Sequence, residues 1–221
     1  MTSITVIIPT LNEKEAIQEV IKDIPKKELQ DRDYNVEIMA VDGGSSDGTI
    51  ELLEDSDVEL IHAGDGKTEG VKKGLKNTDS DYIFLIDGDG TYPAEKIIDM
   101  VEDLEDGSEM VLGNRFGSEM NDGAMSTKNM VGNKILTGLA NRLYGTKVSD
   151  LCTGLRGFKF NGFNAEEIPG EGFELEAALH SIFSKKDISE IPISYKQRKG
   201  KSKLVTSDGF KIAMRLIKEK F

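Results

Sequence analysis

Five apolar runs in the first half of the chain each stop at a short polar segment, and this rhythm restricts the fold more than any other feature. The runs are ITVIIP, VEIMAV, VELIHA, YIFLI and EMVLG. Each is short enough to be a buried strand. Between them lie segments with helical spacing. Residues 13–23 place Ala16, Ile17, Val20 and Ile21 on one side, residues 46–53 follow a Ser/Asp-rich turn, and residues 68–76 and 94–104 complete the set, the last behind Pro93. Repeated strand–helix units predict an α/β domain, a mostly parallel sheet with helices on both faces. Ligands of such sheets bind outside the carboxyl ends of the strands.

Those ends read PTLNE, VDGGSSDGT, HAGDGK, DGDGTYP and GNRF. Gly, Asp, Ser and Asn are turn residues in any case. Here, however, acids, an amide, Lys67 and Arg115 are all predicted to face one crevice. The second half is less regular. Residues 116–127 read as a polar, mobile loop, and 128–144 as a helix with Val131, Ile135, Leu139 and Leu143 at i+4 spacing. Gly132 and Gly138 within it predict close packing or a bend. SDLCTGLRGFKF reads as a turn and a strand, FELEAALHSIF as a helix and ISEIPISY as a strand. A final helix over 207–220 carries Phe210, Ala213, Ile217 and Phe221 on one side. The expectation is one domain with three parts: a nucleotide-binding half at 1–113, an acceptor-binding half at 114–204, and a basic amphipathic helix at 205–221.

Charge narrows the partners. The 221 residues carry a formal charge of −12, which argues against general nucleic-acid binding. The charge is uneven: residues 195–221 hold nine Lys/Arg against two Asp/Glu, a net +7 that leaves −19 on the rest. A basic tail on an acidic body suits an anionic partner at one end. Cys152 is the sole cysteine, so no internal disulfide forms and a reducing cytosol is the default. MTSITVIIPT does not read as a signal peptide. No apolar run approaches the ~20 residues of a spanning helix. The expected location is therefore cytoplasmic, with any membrane contact peripheral.

The most informative stretch is YIFLIDGDGTYP, where a strand runs into Asp87 and Asp89. Two carboxylates so placed could attack a phosphoryl group, hold a divalent cation or cap the next helix. FLIDGDGT taken alone resembles the first motif of haloacid-dehalogenase-type phosphatases, with Asp87 as nucleophile. That motif normally opens its fold, whereas here three strand–helix units precede it. The first strand lacks the G-x-G-x-x-G turn of dinucleotide binders, and no P-loop motif occurs. Two histidines, His62 and His180, leave no histidine metal cluster and little for a Ser-His-Asp triad.

Seven segments in order carry a resemblance: IIPTLNE, VDGGSSDGT, GDGK, DGDGTYP, GNRF, SDLCTGLRGF and EIPISYKQRKGKSKL. Together they resemble family 2 inverting glycosyltransferases of the GT-A fold, and within them the branch of dolichyl-phosphate mannosyltransferases. That branch moves a sugar from a nucleotide to a polyprenyl phosphate. The resemblance implies a nucleotide site edged by Pro9, Thr10, Asn12 and Glu13, with Asp42 accepting from the base. Ser46 and Asp47 would shape that pocket or simply cap the next helix, and Lys67 would lie near the nucleotide. Asp87 would face the ribose and, with Asp89, hold Mg²⁺ or Mn²⁺ between the phosphates. Arg198, beside Ser202 and Lys203, would close over the diphosphate. Many relatives carry Gln two residues after the second Asp; this chain has Thr91, which is therefore left out of the metal set. The variant motif favours a UDP-sugar over a GDP-sugar.

The acceptor decides the remaining chemistry. A sugar hydroxyl needs a general base, whereas a phosphomonoester, with its second pKa near ~6, is already an anionic nucleophile at neutral pH. Its site needs cations, and Arg115, Lys128 and Lys134 are the candidates. Asp150 matches a family acid near the acceptor or sugar, or else fixes its turn. Glu174 and Glu176 are also available. The reading is a metal-dependent, inverting transfer of a hexose or N-acetylhexosamine to a polyprenyl or dolichyl phosphate, at the cytoplasmic membrane face. The alternatives are a saccharide-hydroxyl acceptor, the phosphatase, and an inactive nucleotide-sugar binding module.

Overall fold

Apolar residues at alternate positions drive β1 (Ser3–Thr10) into the centre of the molecule. Ile4, Val6 and Ile8 face one side of the sheet and Ile7 the other, each fully buried. The computed structural model describes residues 1–64, 66–160, 164–169, 172, 174–200 and 206–221. Among these, β1 is joined by β2 (Asn35–Asp42), β3 (Glu59–His62), β4 (Tyr82–Leu85), β5 (Met110–Asn114), β6 (Arg156–Lys159) and β7 (Ile188–Pro192). They form one sheet in the order β3-β2-β1-β4-β6-β5-β7. The first four are parallel, and β6 runs antiparallel to both β4 and β5, while β7 pairs parallel with β5. The expected α/β class with a mostly parallel sheet is the one observed. The boundary expected near residue 113 does not divide the sheet, because β6 from the second half inserts between two strands of the first.

Helices cover both faces. On one side α1 (Ile17–Asp23), α2 (Lys26–Gln30), α3 (Thr49–Glu54) and α5 (Ile97–Glu105) bury Ile17, Leu29, Leu53 and Val101 against the sheet. On the other, α4 (Lys67–Lys76) and α7 (Leu175–Phe183) bury Val71, Leu75, Leu179 and Phe183. A third cluster lies beyond that face. In it Ala140 of α6 (Thr127–Tyr144) and Ile212 and Leu216 of α8 (Thr206–Lys218) meet Leu151 and Ala177. Among the described residues no helix is long and apolar enough to cross a membrane.

Four expectations are refined. The apolar stripe of α6 packs inward only in its second half: Leu139 and Leu143 rest against the third cluster, Val131 is 51% and Ile135 65% exposed, and Asn133, Thr137 and Ala140 are buried. Asn133 and Thr137 face inward because they bond the loop before β6, as described below. Neither Gly132 nor Gly138 is closely packed; a side chain at either would meet nothing within 4 Å. On α8 the buried side is Asp208, Ile212 and Leu216, whereas Phe210 is 70% exposed and Phe221, just beyond the helix, 96%. Residues 208, 212 and 216 follow the i+4 spacing, so the stripe read from Phe210 and Ile217 lies on the other side. The loop at 116–127, expected to be mobile, is pinned at its middle. Asn121 N donates to Tyr195 O at 3.0 Å and Tyr195 N to Glu119 O at 3.2 Å.

Candidate active site

The carboxyl ends of β1, β2 and β4 open onto a cleft of about 610 Å³ whose far wall is α6 and the start of α8. Pro9, Thr10, Glu13, Lys67, Asp87, Asp89, Arg115 and Arg198, all expected in the site, line it. Asn12, Asp42, Ser46 and Asp150 do not. Ser202 and Lys203 lie outside the described residues.

The turn after β2 shows why Asp42 is absent. Its Oδ1 accepts from Gly44 N and Ser45 N, both at 2.8 Å, and its Oδ2 from Ser45 Oγ at 2.5 Å. The side chain is buried and committed to its own turn, with Gly44 at φ +93°. Asn12 and Ser46 clip two loops together, Ser46 N donating to Asn12 Oδ1 at 2.8 Å. Asp47 accepts from Thr49 N at 3.0 Å at the start of α3, so its role is structural.

Asp87 and Asp89 have been given different partners. Lys67 Nζ lies 2.6 Å from Asp87 Oδ1 and 2.8 Å from Glu176 Oε1. Asp87 Oδ2 is close against Gly154, where any side chain would collide with it. Burial alone would raise Asp87, but Lys67, then Arg198 and Arg115, outweigh it and hold the carboxyl below its usual range. Burial would likewise lower Lys67, and Asp87 and Glu176 together hold it above the ordinary lysine value. Lys67 thus takes up Oδ1 of Asp87, whose side chain is 28% exposed against 5% for Asp89.

Asp89 is the other acid. Its Oδ1 accepts from Thr91 Oγ1 at 2.6 Å and Thr91 N at 3.1 Å. Its Oδ2 lies 3.0 Å from Arg198 Nη1, while Arg198 Nη2 lies 2.5 Å from Glu13 Oε1. Burial, then the charge of Asp87, raises Asp89 above the ordinary carboxylate range despite Thr91 and Arg198. Among the described residues no three His, Cys, Asp or Glu side chains converge as a ready-made metal cage. The site nevertheless fits a hard cation. It offers a carboxylate oxygen, and a guanidinium already stands against that oxygen as a positive charge. A divalent ion held there would need its other oxygen ligands from a phosphate ligand and water.

Arg115 is reached from β5. Its Nε and Nη2 lie 2.7 Å from the two oxygens of Asp150, which also accepts from Asn133 Nδ2 at 2.6 Å. Asp150 is wholly buried and holds Arg115 in place. Arg115 stacks over the Tyr195 ring at 5.1 Å, and Tyr195 meets Tyr92 edge to face at 5.2 Å. Lys128 lines the cleft at the first turn of α6, whereas Lys134 lies over the Phe116 ring. Cys152 also lines the cleft, and burial pushes its thiol up to about 12, so it is no nucleophile at neutral pH.

Several of these parts were not anticipated. Tyr92 and Tyr195 wall the acceptor side, and Tyr92 Oη accepts from Gly154 N at 2.7 Å. Arg156, fully buried, donates to Leu151 O, Thr153 O and Glu176 O at 3.1, 2.6 and 3.4 Å, and so folds the loop that presents Asp150 and Gly154. The paired polar residues Asn133 and Thr137, one helical turn apart, were a signal for a buried polar seam, outweighed by the apolar stripe beside them.

The chain matches the profile of Glycosyl transferase family 2 over residues 5–165. It belongs to that family. The glycosyltransferase is 32% identical over 200 residues to glycosyltransferase AglJ of Haloferax volcanii, a match covering 89% of this chain and 64% of that one. It is 29% identical to a dolichyl-phosphate hexose transferase of the same organism, covering 91% and 86%. The chain therefore spans less than two thirds of AglJ but most of the hexose transferase. Among solved structures it resembles glucosyl-3-phosphoglycerate synthase of Mycobacterium tuberculosis in complex with Mn²⁺, UDP-glucose and phosphoglyceric acid, with a TM-score of 0.73 over 99% of this chain and 80% of that one. At 19% identity this likeness establishes the GT-A fold alone. The phosphatase reading of Asp87 falls with the family and with the locking of that carboxylate by Lys67.

Proposed function

We propose that this glycosyltransferase moves a hexose or N-acetylhexosamine from a nucleotide sugar, a UDP-sugar in preference to a GDP-sugar, to a polyprenyl or dolichyl phosphate, with inversion at the anomeric carbon. The observation that carries the reading is the distribution of charge along one cleft. Acids lie at the strand ends of β1 and β4, and Arg115 and Lys128 lie where the N-terminus of α6 enters. The first turn of an 18-residue helix favours an anion. The carboxylate placed to serve as a base, Glu176, is paired with Lys67, which suits an acceptor that arrives already ionised.

In the reaction the acceptor phosphate oxygen bonds to the anomeric carbon while the bond from that carbon to the donor diphosphate breaks. The electron pair leaves with the nucleoside diphosphate, and no proton has to be removed. A divalent cation, Mg²⁺ or Mn²⁺, when bound would offset the charge of the leaving diphosphate, and Asp89 Oδ2 would hold it. Pro9, Thr10 and Glu13 flank the nucleotide, Arg198 meets its phosphates, and Arg115 and Lys128 orient the acceptor. The named function of the hexose transferase relative and the Mn²⁺ and UDP-glucose of the structural neighbour support this reading. The acceptor's chain stays in a bilayer, so the enzyme works at the membrane surface, on its cytoplasmic face, with Phe210, Met214, Ile217 and Phe221 toward the lipid.

The test is a panel of labelled sugar nucleotides with a short polyprenyl phosphate, Mn²⁺ or Mg²⁺, and extraction of the lipid. Label is expected in the organic phase, more from a UDP-sugar, and none when the free polyprenol replaces its phosphate. Equal transfer to the polyprenol would overturn the proposed acceptor, and nucleotide binding with no transfer to any acceptor would leave a binding module.

A further inference from the structure

Arg198 stands where a cation is expected, and the protein has arranged for it to be there. Its guanidinium bridges acids from two separate loops, Asp89 after β4 and Glu13 after β1. Thr91 occupies Asp89 Oδ1 through both its hydroxyl and its N–H, so Oδ2 is the oxygen left to face the cleft. The segment carrying Arg198 is laid along the same loop by its backbone. Lys196 N donates to Thr91 O at 3.0 Å and Lys199 N to Asp89 O at 3.3 Å. Further along, Lys199 pairs with Glu19. Arg198 Nε is buried and has no hydrogen-bond partner, an open donor on a fork otherwise spent on carboxylates.

We propose that Arg198 is a resident counter-ion of Asp89 that alternates with the divalent cation on Oδ2. The inference rests on the reading of Asp89 as the cation ligand. A guanidinium and a divalent cation drawn to one carboxylate oxygen compete for it, and the two positive charges repel. A bare cation must therefore displace Arg198 from Asp89 and leave it on Glu13 alone. A cation arriving with a nucleoside diphosphate brings a second receiver for it. Phosphate oxygens match the guanidinium fork and satisfy Nε as well. Arg198 then moves from the carboxylates to the diphosphate, and the cation takes Oδ2. The result is an order of binding: metal enters as the metal–nucleotide complex, and the strap of residues 195–200 follows it onto the phosphates.

The experiment reads free Mn²⁺ by electron paramagnetic resonance during titration of the whole chain, with and without UDP, and with no sugar or acceptor present. Wild type is expected to bind Mn²⁺ weakly alone and more tightly with UDP. Arg198→Gln is expected to bind Mn²⁺ alone about tenfold more tightly, the factor for a latched state holding about nine molecules in ten, and to lose a similar factor of the enhancement by UDP. Lys199→Gln removes the same charge from the same strap at Glu19 and is expected to match wild type. Unchanged or weaker Mn²⁺ binding by Arg198→Gln, or an equal gain in Lys199→Gln, would overturn the proposal. Mn²⁺ binding unaltered in Asp89→Asn would instead remove the metal reading itself, and the alternation with it.

Discussion

The Lys67 ammonium sits between two carboxylates at the floor of the cleft, 2.6 Å from half-buried Asp87 and 2.8 Å from buried Glu176. Replacing it with Met leaves these two neighbouring acids without a counter-ion. Breaking such a group costs about 3–5 kcal/mol. Lys67→Met is expected to lose that much in denaturant unfolding, and Lys67→Met/Glu176→Gln to recover part of it. A purely additive double mutant would show that the two are not coupled.

Asp89→Asn keeps the Thr91 bonds, because the amide oxygen still accepts, but removes the charge that faces the cation. The fold should survive with little change in melting temperature, while Mn²⁺-dependent transfer is nearly lost. Thr91→Val leaves Asp89 charged and frees its Oδ1 to rotate. A loss of about 10–100-fold in apparent metal affinity is expected, as for other groups that orient a ligand. Near-normal Mn²⁺-dependent turnover in Asp89→Asn would refute the assignment of the cation to Asp89.

Arg115 and Asp150 should behave as one unit. Arg115→Ala removes a charge-assisted contact to the acceptor phosphate, worth about 1.5–3 kcal/mol, so KM for polyprenyl phosphate should rise tenfold or more with UDP binding little altered. Asp150→Asn loosens the fork that aims Arg115 and should move the same parameter in the same direction. The double variant should be no worse than the poorer single one. Steady-state kinetics against acceptor concentration decides this, and additive effects would separate the two residues.

The resemblance to known motifs located most of the cleft, and physical chemistry explains the misses. Strand ends were legible because apolar runs and turn residues mark them locally. Asp42 and Asp150 show what sequence leaves open, because a carboxylate held by its own turn, or by Arg115 and Asn133, reads the same as one facing a ligand. Arg156 went unremarked because a buried cation satisfied by three carbonyls depends on a loop closing around it, which no spacing announces. On α6 the first half of the apolar stripe pointed outward while Leu139 and Leu143 packed inward, since Asn133 and Thr137 have bonds to make inside and Val131 and Ile135 have only area to bury.

His180 makes acid stability testable. Burial, then the nearby charge of Arg156, lowers its imidazole to about 4 from an ordinary 6.5, and Thr146 Oγ1 lies 3.0 Å from its Nε2. The folded pKa lies below the unfolded one, so the unfolded chain binds more protons between these values. The contribution of the neutral ring is therefore whole above about pH 6.5 and is lost as pH falls toward 4. Up to about 3 kcal/mol of stability should disappear across that window. His180→Leu should flatten this part of the profile in urea unfolding at successive pH values; an unchanged slope would assign it to other groups.

The outer side of α8 should carry membrane contact. Phe210→Ser/Met214→Ser/Ile217→Ser alters only exposed positions, so melting temperature and UDP affinity should hold. Sedimentation with anionic vesicles at low salt should drop to the level seen with neutral ones, and added salt should weaken wild-type binding as each basic residue contributes about 1 kcal/mol. Equal sedimentation of the variant would move the contact elsewhere, with the loop at 116–127 next in line.

The placement of β6 also bears on how the chain comes to fold. β6 is made some forty residues after β5 yet must lie between β4 and β5. As the polypeptide leaves the ribosome, β1, β2, β3 and β4 can assemble from parallel neighbours, but β4 keeps an open edge and β5 has no neighbour to join until residues 156–159 emerge. Closing such a distant pairing is slow, because the loop entropy is lost before the contacts form. During that interval the exposed edge of β4 invites association with other chains. Asp150, which holds Arg115 against the cleft, and Arg156, which folds the loop between them, lead into and begin this late-made strand. Ordering of the half-sheet and completion of the catalytic cleft are thus one late event, and fragments ending near residue 113 would be expected to need chaperones rather than to fold alone.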